Sequence, residues 1–168
     1  EPDIGFCDSR ARRTPPLRKQ RDRDALRAAL QDGTVDELVS DHTPVDEDAK
    51  TLPVAEAEPG ATGLELLLSL ALKWSQDSGA PLLRALSVVT SAPAQVLGNA
   101  LGTLQASVGQ LVEGGVGDVC IFDPHSAWTV SDNALRSQGK YTPFTGYELP
   151  GRVRCTLVGG QIAFEQAD

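Results

Sequence analysis

The spacing of apolar residues changes near residue 100, and this change limits the possible folds more than any other feature. Before it, leucines and alanines recur at the three- and four-residue intervals of an amphipathic helix. After it, glycines separate short runs of strand-forming residues. We therefore predict that residues 1–100 form an α/β part and that residues 101–168 form a small β part.

Two helices with clear ends are predicted in the first part. One begins near Gln20, where arginine and aspartate alternate, and it ends at Gly33. The alternating charges could contact an acidic partner, but they fit the solvated face of a helix better. The other helix is strongly apolar. Thr62 and Glu65 have the spacing of a capping box at its start, and Gly79 ends it.

Between these helices, a short strand is expected around Leu38 and Val39, and a further helix is expected over 81–90. The alternation of strands and helices predicts parallel strands in an α/β arrangement. Residues 41–63 show no apolar period and contain three prolines and two glycines. A loop of this length in a compact domain is usually functional or disordered.

The second part is predicted to contain strands joined by glycine turns. Residues 119–122 form a fully apolar strand in this prediction. Residues 153–158 and 161–164 flank a Gly-Gly pair, which indicates a hairpin with a tight turn. A long loop that contains serine, glycine and proline spans 131–150.

Composition excludes some classes of partner. The chain has 15 Lys and Arg against 23 Asp and Glu, a net charge of −8, so no basic surplus is available to neutralise nucleic-acid phosphates. The apolar stretch at 64–74 is too short and too polar to span a bilayer, so no membrane association is expected. The three cysteines, Cys7, Cys120 and Cys155, are widely spaced. They are expected to be reduced, mostly buried thiols of a cytoplasmic protein.

The start of the chain is unusual. The sequence begins with Glu1 and contains no methionine. A complete cytoplasmic translation product would usually show its initiator, so we expect these residues to be a piece of a longer chain.

Metal chemistry is restricted by the histidine count. The chain has only two histidines, His42 and His125, whereas a catalytic zinc site normally uses three protein ligands. Asp41 follows the expected strand at the end where α/β barrels carry catalytic residues. It could accept a proton from a metal-bound water or bind the metal. Alternatively, Asp41 caps the following turn and His42 is a structural hydrogen-bond partner, and spacing alone favours this second interpretation.

Five segments carry a resemblance to a known family: Thr14-Pro15-Pro16-Leu17-Arg18, Asp22-Arg23-Asp24-Ala25-Leu26, Asp32-Gly33-Thr34-Val35-Asp36, Ser40-Asp41-His42-Thr43-Pro44 and Pro59-Gly60-Ala61-Thr62-Gly63-Leu64-Glu65. In order and spacing they resemble the C-terminal half of bacterial dihydroorotases of the amidohydrolase superfamily. The resemblance implies that residues 1–100 supply the last strands and helices of a TIM-like α/β barrel. Residues 101–168 would supply the C-terminal strands of a small β-sandwich.

The resemblance also implies a reaction and its residues. Active members hydrolyse the cyclic amide of dihydroorotate reversibly with a zinc-activated water. Asp41 falls on the catalytic aspartate, and it would be a metal ligand only if the whole protein binds zinc. Pro59 and Gly60 fall on the backbone that contacts the substrate ring. No cofactor is expected in these 168 residues by themselves.

Two positions depart from the family pattern. Active members carry asparagine where this chain has Thr14, and a carboxylate-binding histidine where it has Val45. Losing a partner for a charged substrate group is a large change. With these departures, the chain most resembles the non-catalytic dihydroorotase-like chain that some bacteria pair with the aspartate carbamoyltransferase catalytic chain.

Two functions therefore remain open at the level of sequence. The first is a non-catalytic scaffold of aspartate carbamoyltransferase in pyrimidine synthesis, which Thr14 and Val45 favour. The second is an active zinc dihydroorotase or a related cyclic amidohydrolase, which Asp41 and Pro59-Gly60 favour. A barrel cut before its last strands would expose a strand edge, so we also expect a homo-oligomeric or domain-swapped form.

Overall fold

The computed structural model describes residues 9–167, with only the backbone described at residue 10. Cys7 lies outside the described residues. The helices are α1 (Gln20–Asp32), α2 (Leu67–Ser78), α3 (Leu82–Ser87) and α4 (Ser91–Leu97), and the strands are β1 (Val119–Thr129), β2 (Glu148–Val158) and β3 (Gln161–Glu165). Short 3-10 helices lie at Ser9–Ala11, Asp48–Lys50, Leu64–Leu66 and Gly98–Ala106.

Helix α1 confirms the predicted charged helix and its end at Gly33. Its arginines and aspartates lie mostly in solvent, as the alternation of charges indicates. Its apolar side chains are only partly buried, because Leu30 is buried whereas Leu26 is 58% exposed. The helix is tied to α2 by an ion pair of 3.6 Å between Arg27 and Asp77.

Helix α2 and the turn before it contribute to two buried clusters. The first cluster consists of Leu30, Trp74, Ala80, Ala85 and Val88. The second consists of Leu66, Val130, Leu135 and Leu149. Burial of each large apolar side chain contributes about 1.5–3 kcal/mol. The apolar helix predicted from sequence is confirmed, and it joins the α-helical and β-rich parts.

The capping box predicted at the start of this helix is wrong. The Thr62 hydroxyl donates to the Gly139 carbonyl over 2.5 Å, far away in sequence. The Glu65 carboxylate accepts the backbone N–H groups of Arg136 and Ser137, at 2.8 and 2.9 Å. Both side chains therefore bind the 131–150 loop, because tertiary contact supplies partners that compete with local capping.

The strand predicted around Leu38 and Val39 is also absent from the described residues. The Leu38 N–H donates to the Val88 carbonyl over 2.9 Å, and Val39 is 67% exposed. An extended segment becomes a strand only when a neighbour supplies a ladder of hydrogen bonds. Here the one β-bridge, between Thr43 and Ala61, is isolated, and no parallel strand pair forms within residues 9–167.

The three strands form an antiparallel sheet in the order β1-β2-β3. The predicted hairpin is confirmed, with its turn at the Gly-Gly pair, but β2 begins at Glu148 and so includes the last three residues of the predicted 131–150 loop. The predicted strand at 119–122 extends to Thr129, and it is not fully buried, since Ile121 is 51% exposed. Cys120 and Cys155 are free thiols, as predicted, but Cys120 is exposed. No helix among the described residues is long and apolar enough to cross a membrane.

Candidate functional site

Residues from three separate segments line one half-open cleft of about 140 Å³. The lining residues are Arg13, Thr14, Asp41, Thr43, Pro59 and Gly60. Four of them, Thr14, Asp41, Pro59 and Gly60, are positions that the family resemblance assigns to catalysis or substrate binding. The structure thus brings those four positions together, although they are up to 46 residues apart in the chain.

Backbone hydrogen bonds hold the three segments in place. The Gly60 N–H donates to the Arg12 carbonyl over 3.1 Å, which brings the segment of Arg13 and Thr14 to the 59–63 segment. The Thr43 N–H donates to the Ala61 carbonyl over 3.0 Å. These bonds join main chains, so they do not depend on the side chains that line the cleft.

His42 fastens the Asp41 segment to the turn before α2. Its Nδ1 atom accepts the backbone N–H groups of Gly63 at 3.1 Å and Leu64 at 3.2 Å. These groups lie at the start of a helix, where N–H groups lack intrahelical partners. The interpretation of His42 as a structural hydrogen-bond partner is therefore confirmed. An Nδ1 that accepts these bonds leaves the ring proton on Nε2.

Two glycines let the segments approach this closely. A Cβ atom at Gly60 would lie 2.5 Å from the Thr43 carbonyl oxygen, and one at Gly63 would lie 2.6 Å from the Ser40 carbonyl oxygen. Gly60 also has a φ of +145°, which side chains rarely adopt. The Gly60–Gly63 spacing thus places the main chain of one segment directly against the other.

Asp41 lies at the mouth of the cleft with an exposed side chain. Its φ of +46° makes it the one non-glycine residue with positive φ among residues 9–167. Aspartate tolerates this left-handed region better than most residues, and strained backbone is frequent at functional sites. The positive φ marks Asp41 as a candidate functional residue.

Val45 lies beside the cleft and is not among its lining residues. A Cβ atom at Gly60 would be 3.0 Å from Cγ1 of Val45, so the valine side chain packs against the glycine backbone. A larger polar side chain at this position would have the cleft within reach. The valine instead offers only methyl groups there.

Three cations are near one another at this site: Arg13, which lines the cleft, and its charged neighbours Lys50 and Arg12. Lys50 is 3% exposed, and its Nζ donates to the carbonyls of Ser9, Arg12 and Glu58 at 3.4, 3.3 and 2.5 Å. Burial lowers the pKa of Lys50, and the positive charges of Arg13 and Arg12 lower it further. Burial also lowers the pKa of the Arg13 guanidinium, and the Asp41 carboxylate opposes that shift.

The described residues do not form a zinc site on their own. No group of three or more His, Cys, Asp or Glu side chains within residues 9–167 is placed to hold a metal ion. Among the described residues, Asp41 is the one acidic side chain that lines the cleft, and Nδ1 of His42 already accepts two hydrogen bonds. A zinc ion at Asp41 would need further ligands from outside the described residues.

The sequence analysis missed two features of this site. Arg13 and Thr43 line the cleft, but nothing in the local pattern of apolar residues marks them. They lie in two different segments, and the close approach that Gly60 and Gly63 allow brings only the segment of Thr43 against residues 60–63. The sequence signal for this close approach is a pair of glycines three residues apart, which follow a proline and precede an apolar helix.

Comparison with known proteins identifies the family. No family model matches the chain. A dihydroorotase-like protein from Pseudomonas aeruginosa is 41% identical over 151 residues, which is 90% of this chain and 34% of that protein. A dihydroorotase from Citrifermentans bemidjiense is 37% identical over 158 residues, or 94% of this chain and 36% of that protein. The chain is a homologue of one part of the bacterial dihydroorotases.

The chain spans about a third of the length of the curated relatives that it matches. That partial coverage fits the expected piece of a longer protein. A second dihydroorotase-like protein, from Pseudomonas putida, is 40% identical over 148 residues, 88% of this chain and 33% of that protein. The family resemblance read from the sequence is thereby confirmed, whereas the roles of individual residues remain predictions.

Solved structures give the same relationship at the level of the fold. An L-hydantoinase (dihydropyrimidinase) from Arthrobacter aurescens superposes with a TM-score of 0.83 and 28% identity, over 99% of this chain and 37% of that one. A D-hydantoinase (dihydropyrimidinase) from a Thermus species superposes with a TM-score of 0.81 and 25% identity, over 94% and 34%. The chain is therefore similar to one part of a larger α/β fold.

Proposed function

We propose that this chain is part of a dihydroorotase-like protein of pyrimidine biosynthesis that is a non-catalytic partner of aspartate carbamoyltransferase. The observation that carries the proposal is the pair Thr14 and Val45. By the family resemblance these positions bind the substrate in active members, and here they offer a hydroxyl and methyl groups. The two relatives named dihydroorotase-like protein are consistent with this proposal.

A second candidate is an active cyclic amidohydrolase that opens the C–N bond of a cyclic amide. The specific observation in its favour is the cleft itself, which gathers Asp41, Pro59 and Gly60 around one space. In this case Asp41 would hold and move the proton of the attacking water. Zinc would activate that water if the rest of the protein supplies the missing ligands.

Substitution of Asp41 separates the two candidates. Asp41→Asn keeps the size of the side chain and its tolerance of positive φ but removes the charge and the basic oxygen. In the scaffold proposal, no dihydroorotase activity is expected in either form, and the partner's carbamoyltransferase activity depends on the chain but not on this substitution. In the enzyme proposal, dihydroorotase activity should fall by about a hundredfold to ten-thousandfold.

The measurement uses the whole protein that contains this chain, purified with and without aspartate carbamoyltransferase. A dihydroorotase rate that disappears in Asp41→Asn would contradict the scaffold proposal. Partner activity that is the same with and without the protein would contradict it as well. Self-association is a separate expectation for the 168-residue chain by itself, in which a cut barrel would expose a strand edge. A monodisperse monomer of this chain in sizing and scattering at high concentration would contradict that expectation.

A further inference from the structure

Residues 44–58 form a loop that leaves the cleft at Thr43 and returns to it at Pro59. The β-bridge between Thr43 and Ala61 closes the neck of this 44–58 loop. Compact loops whose ends lie close together are frequently functional. Because both ends of the loop are in the cleft, contacts inside the loop can determine where the cleft walls stand.

The Lys50 ammonium is the buried polar centre of the 44–58 loop. Lys50 is 3% exposed, and its Nζ donates to the carbonyls of Glu58 at 2.5 Å and Arg12 at 3.3 Å. Each carbonyl directly precedes a pair of residues that line the cleft, Pro59-Gly60 in one wall and Arg13-Thr14 in the other. One charged group therefore holds the main chain next to both walls.

The Arg12 carbonyl is shared between the lysine and the opposite wall. It accepts the ammonium of Lys50 at 3.3 Å and the backbone N–H of Gly60 at 3.1 Å. The third bond of the ammonium goes to the Ser9 carbonyl at 3.4 Å. An ammonium has three donors, and all three have acceptors here. Lys50 therefore acts on the cleft through the main chain and not by contact with a ligand.

Stability alone does not account for a charged group at this position. Burial lowers the pKa of Lys50, and the charges of Arg13 and Arg12 lower it further, so the surroundings disfavour the ammonium. Apolar side chains of similar volume often serve stability as well as a buried charge does. The ammonium supplies directed hydrogen bonds to several carbonyls, which an apolar side chain cannot supply.

We propose that Lys50 is a positioning residue of the cleft, which sets the distance between the two walls by binding the carbonyls of Arg12 and Glu58. A ligand that contacts both walls would depend on Lys50 without contacting it. The inference concerns the geometry of the cleft, so it goes beyond the proposed function and applies to both candidate functions.

The test compares the hydrogen exchange of two backbone amides in the whole protein that contains this chain. The Gly60 N–H is bonded to the Arg12 carbonyl, which Lys50 also binds, whereas the Thr43 N–H is bonded to the Ala61 carbonyl without Lys50. Lys50→Met keeps an apolar stem and removes the ammonium. In this variant, the exchange of Gly60 relative to Thr43, followed by NMR, should be about ten- to hundredfold faster than in the unsubstituted protein.

Two further variants make this result specific. Lys73→Met removes a lysine of α2 that pairs with Asp77 at 2.6 Å, and it should leave the exchange ratio unchanged. Lys50→Arg keeps the charge and the donors and should retain part of the protection of Gly60. If Lys50→Met accelerates both amides equally, its role is one of general stability and the inference is overturned. An unchanged ratio in Lys50→Met would overturn it as well.

A measurement on the unsubstituted protein gives a result even if Lys50→Met does not fold. Scalar couplings across hydrogen bonds should connect the ammonium nitrogen of Lys50 to the carbonyl carbons of both Arg12 and Glu58. The ammonium protons should also exchange slowly with water, whereas the exposed Lys19 should show neither signal. Coupling to only one carbonyl, or to neither, would overturn the inference, because both walls would then not share one clamp.

An activity measurement separates this inference from the proposed function. In the enzyme candidate, the substrate ring contacts Pro59-Gly60 by the family resemblance, so Lys50→Met should raise KM about tenfold and lower kcat by less. Absence of dihydroorotase activity supports the scaffold proposal, and the exchange ratio then decides the inference by itself. A raised KM with an unchanged exchange ratio would overturn the inference and leave the enzyme candidate standing.

Discussion

The backbone N–H of Gly63 donates to Nδ1 of His42 over 3.1 Å, and this bond joins the Asp41 segment to the start of the central helix. Gly63 is buried, so water could not easily accept this hydrogen bond in place of His42. The hydrogen bond therefore helps to hold the segment of Asp41 against the residues that precede the helix.

The first prediction concerns this histidine. His42→Ala removes the acceptor of two backbone N–H groups, and an unsatisfied buried donor costs about 1–3 kcal/mol. We expect the free energy of unfolding, measured by urea denaturation, to fall by that amount. His125→Ala is the matched control, because the His125 side chain is exposed, and it should change stability by less than about 0.5 kcal/mol. Equal effects of the two substitutions would contradict the assignment.

Gly60 provides the second prediction. Gly60→Ala places a methyl group 2.5 Å from the Thr43 carbonyl oxygen, so the two segments must separate. Gly114→Ala is the control, because Gly114 also has positive φ but has no neighbour within 4 Å. Both should destabilise through backbone strain of about 1–2 kcal/mol, and Gly60→Ala should destabilise by more. A Gly60→Ala variant as stable as Gly114→Ala would show that the segments are not in contact.

Glu65 provides the third prediction. Burial raises the pKa of Glu65, but hydrogen bonds from the N–H groups of Arg136 and Ser137 outweigh it, and the net pKa is below 4.5. A carboxyl with a depressed folded pKa adds stability above its unfolded pKa, and this stability is lost as pH falls through the folded value. Glu65→Gln should therefore cost about 1–2 kcal/mol near neutral pH. The difference from the unsubstituted protein should shrink below pH 4.5.

The control for this experiment is Glu56→Gln, which changes an exposed carboxylate. It should alter the unfolding free energy little at any pH. If the Glu65→Gln difference were independent of pH down to acid unfolding, the ionised carboxylate would not be the group that holds the 131–150 loop.

Lys50 provides the fourth prediction, with the opposite dependence on pH. Burial depresses the pKa of Lys50 below 10.5, so the unfolded state binds more protons between the two values. Stability should therefore rise with pH in that window, because the cost of burying the ammonium disappears. Relative to Lys50→Met, the unsubstituted protein should gain stability between the folded pKa and pH 10.5. Lys19→Met, at an exposed position, is the control. The prediction would be contradicted if the unfolding free energies of Lys50→Met and the unsubstituted protein changed with pH in parallel.

The fifth prediction concerns metal. The purified 168-residue chain should contain no stoichiometric zinc, because its cleft offers one acidic ligand. Elemental analysis would measure this directly, and chelation should leave the unfolding midpoint unchanged. One equivalent of zinc bound by the chain, and lost in Asp41→Ala, would contradict it.

Local sequence signals were sufficient to predict part of the fold. The ends of α1 and α2 at Gly33 and Gly79, and the hairpin at the Gly-Gly pair, follow from conformations that a few neighbouring residues determine. The family resemblance was also recognisable from five short segments, because the order and spacing of their residues can be read from the sequence without a structure.

Only the tertiary structure decided how these segments are used. Thr62 and Glu65 have the spacing of a cap but bind the 131–150 loop, and residues 38–39 are extended without a neighbouring strand. Arg13 shows no signal in the sequence, yet it lines the cleft, and its buried Nη1 atom has no hydrogen-bond partner among residues 9–167. The physical reason is that hydrogen-bond partners and desolvation depend on which distant segments meet, and no local pattern contains that information.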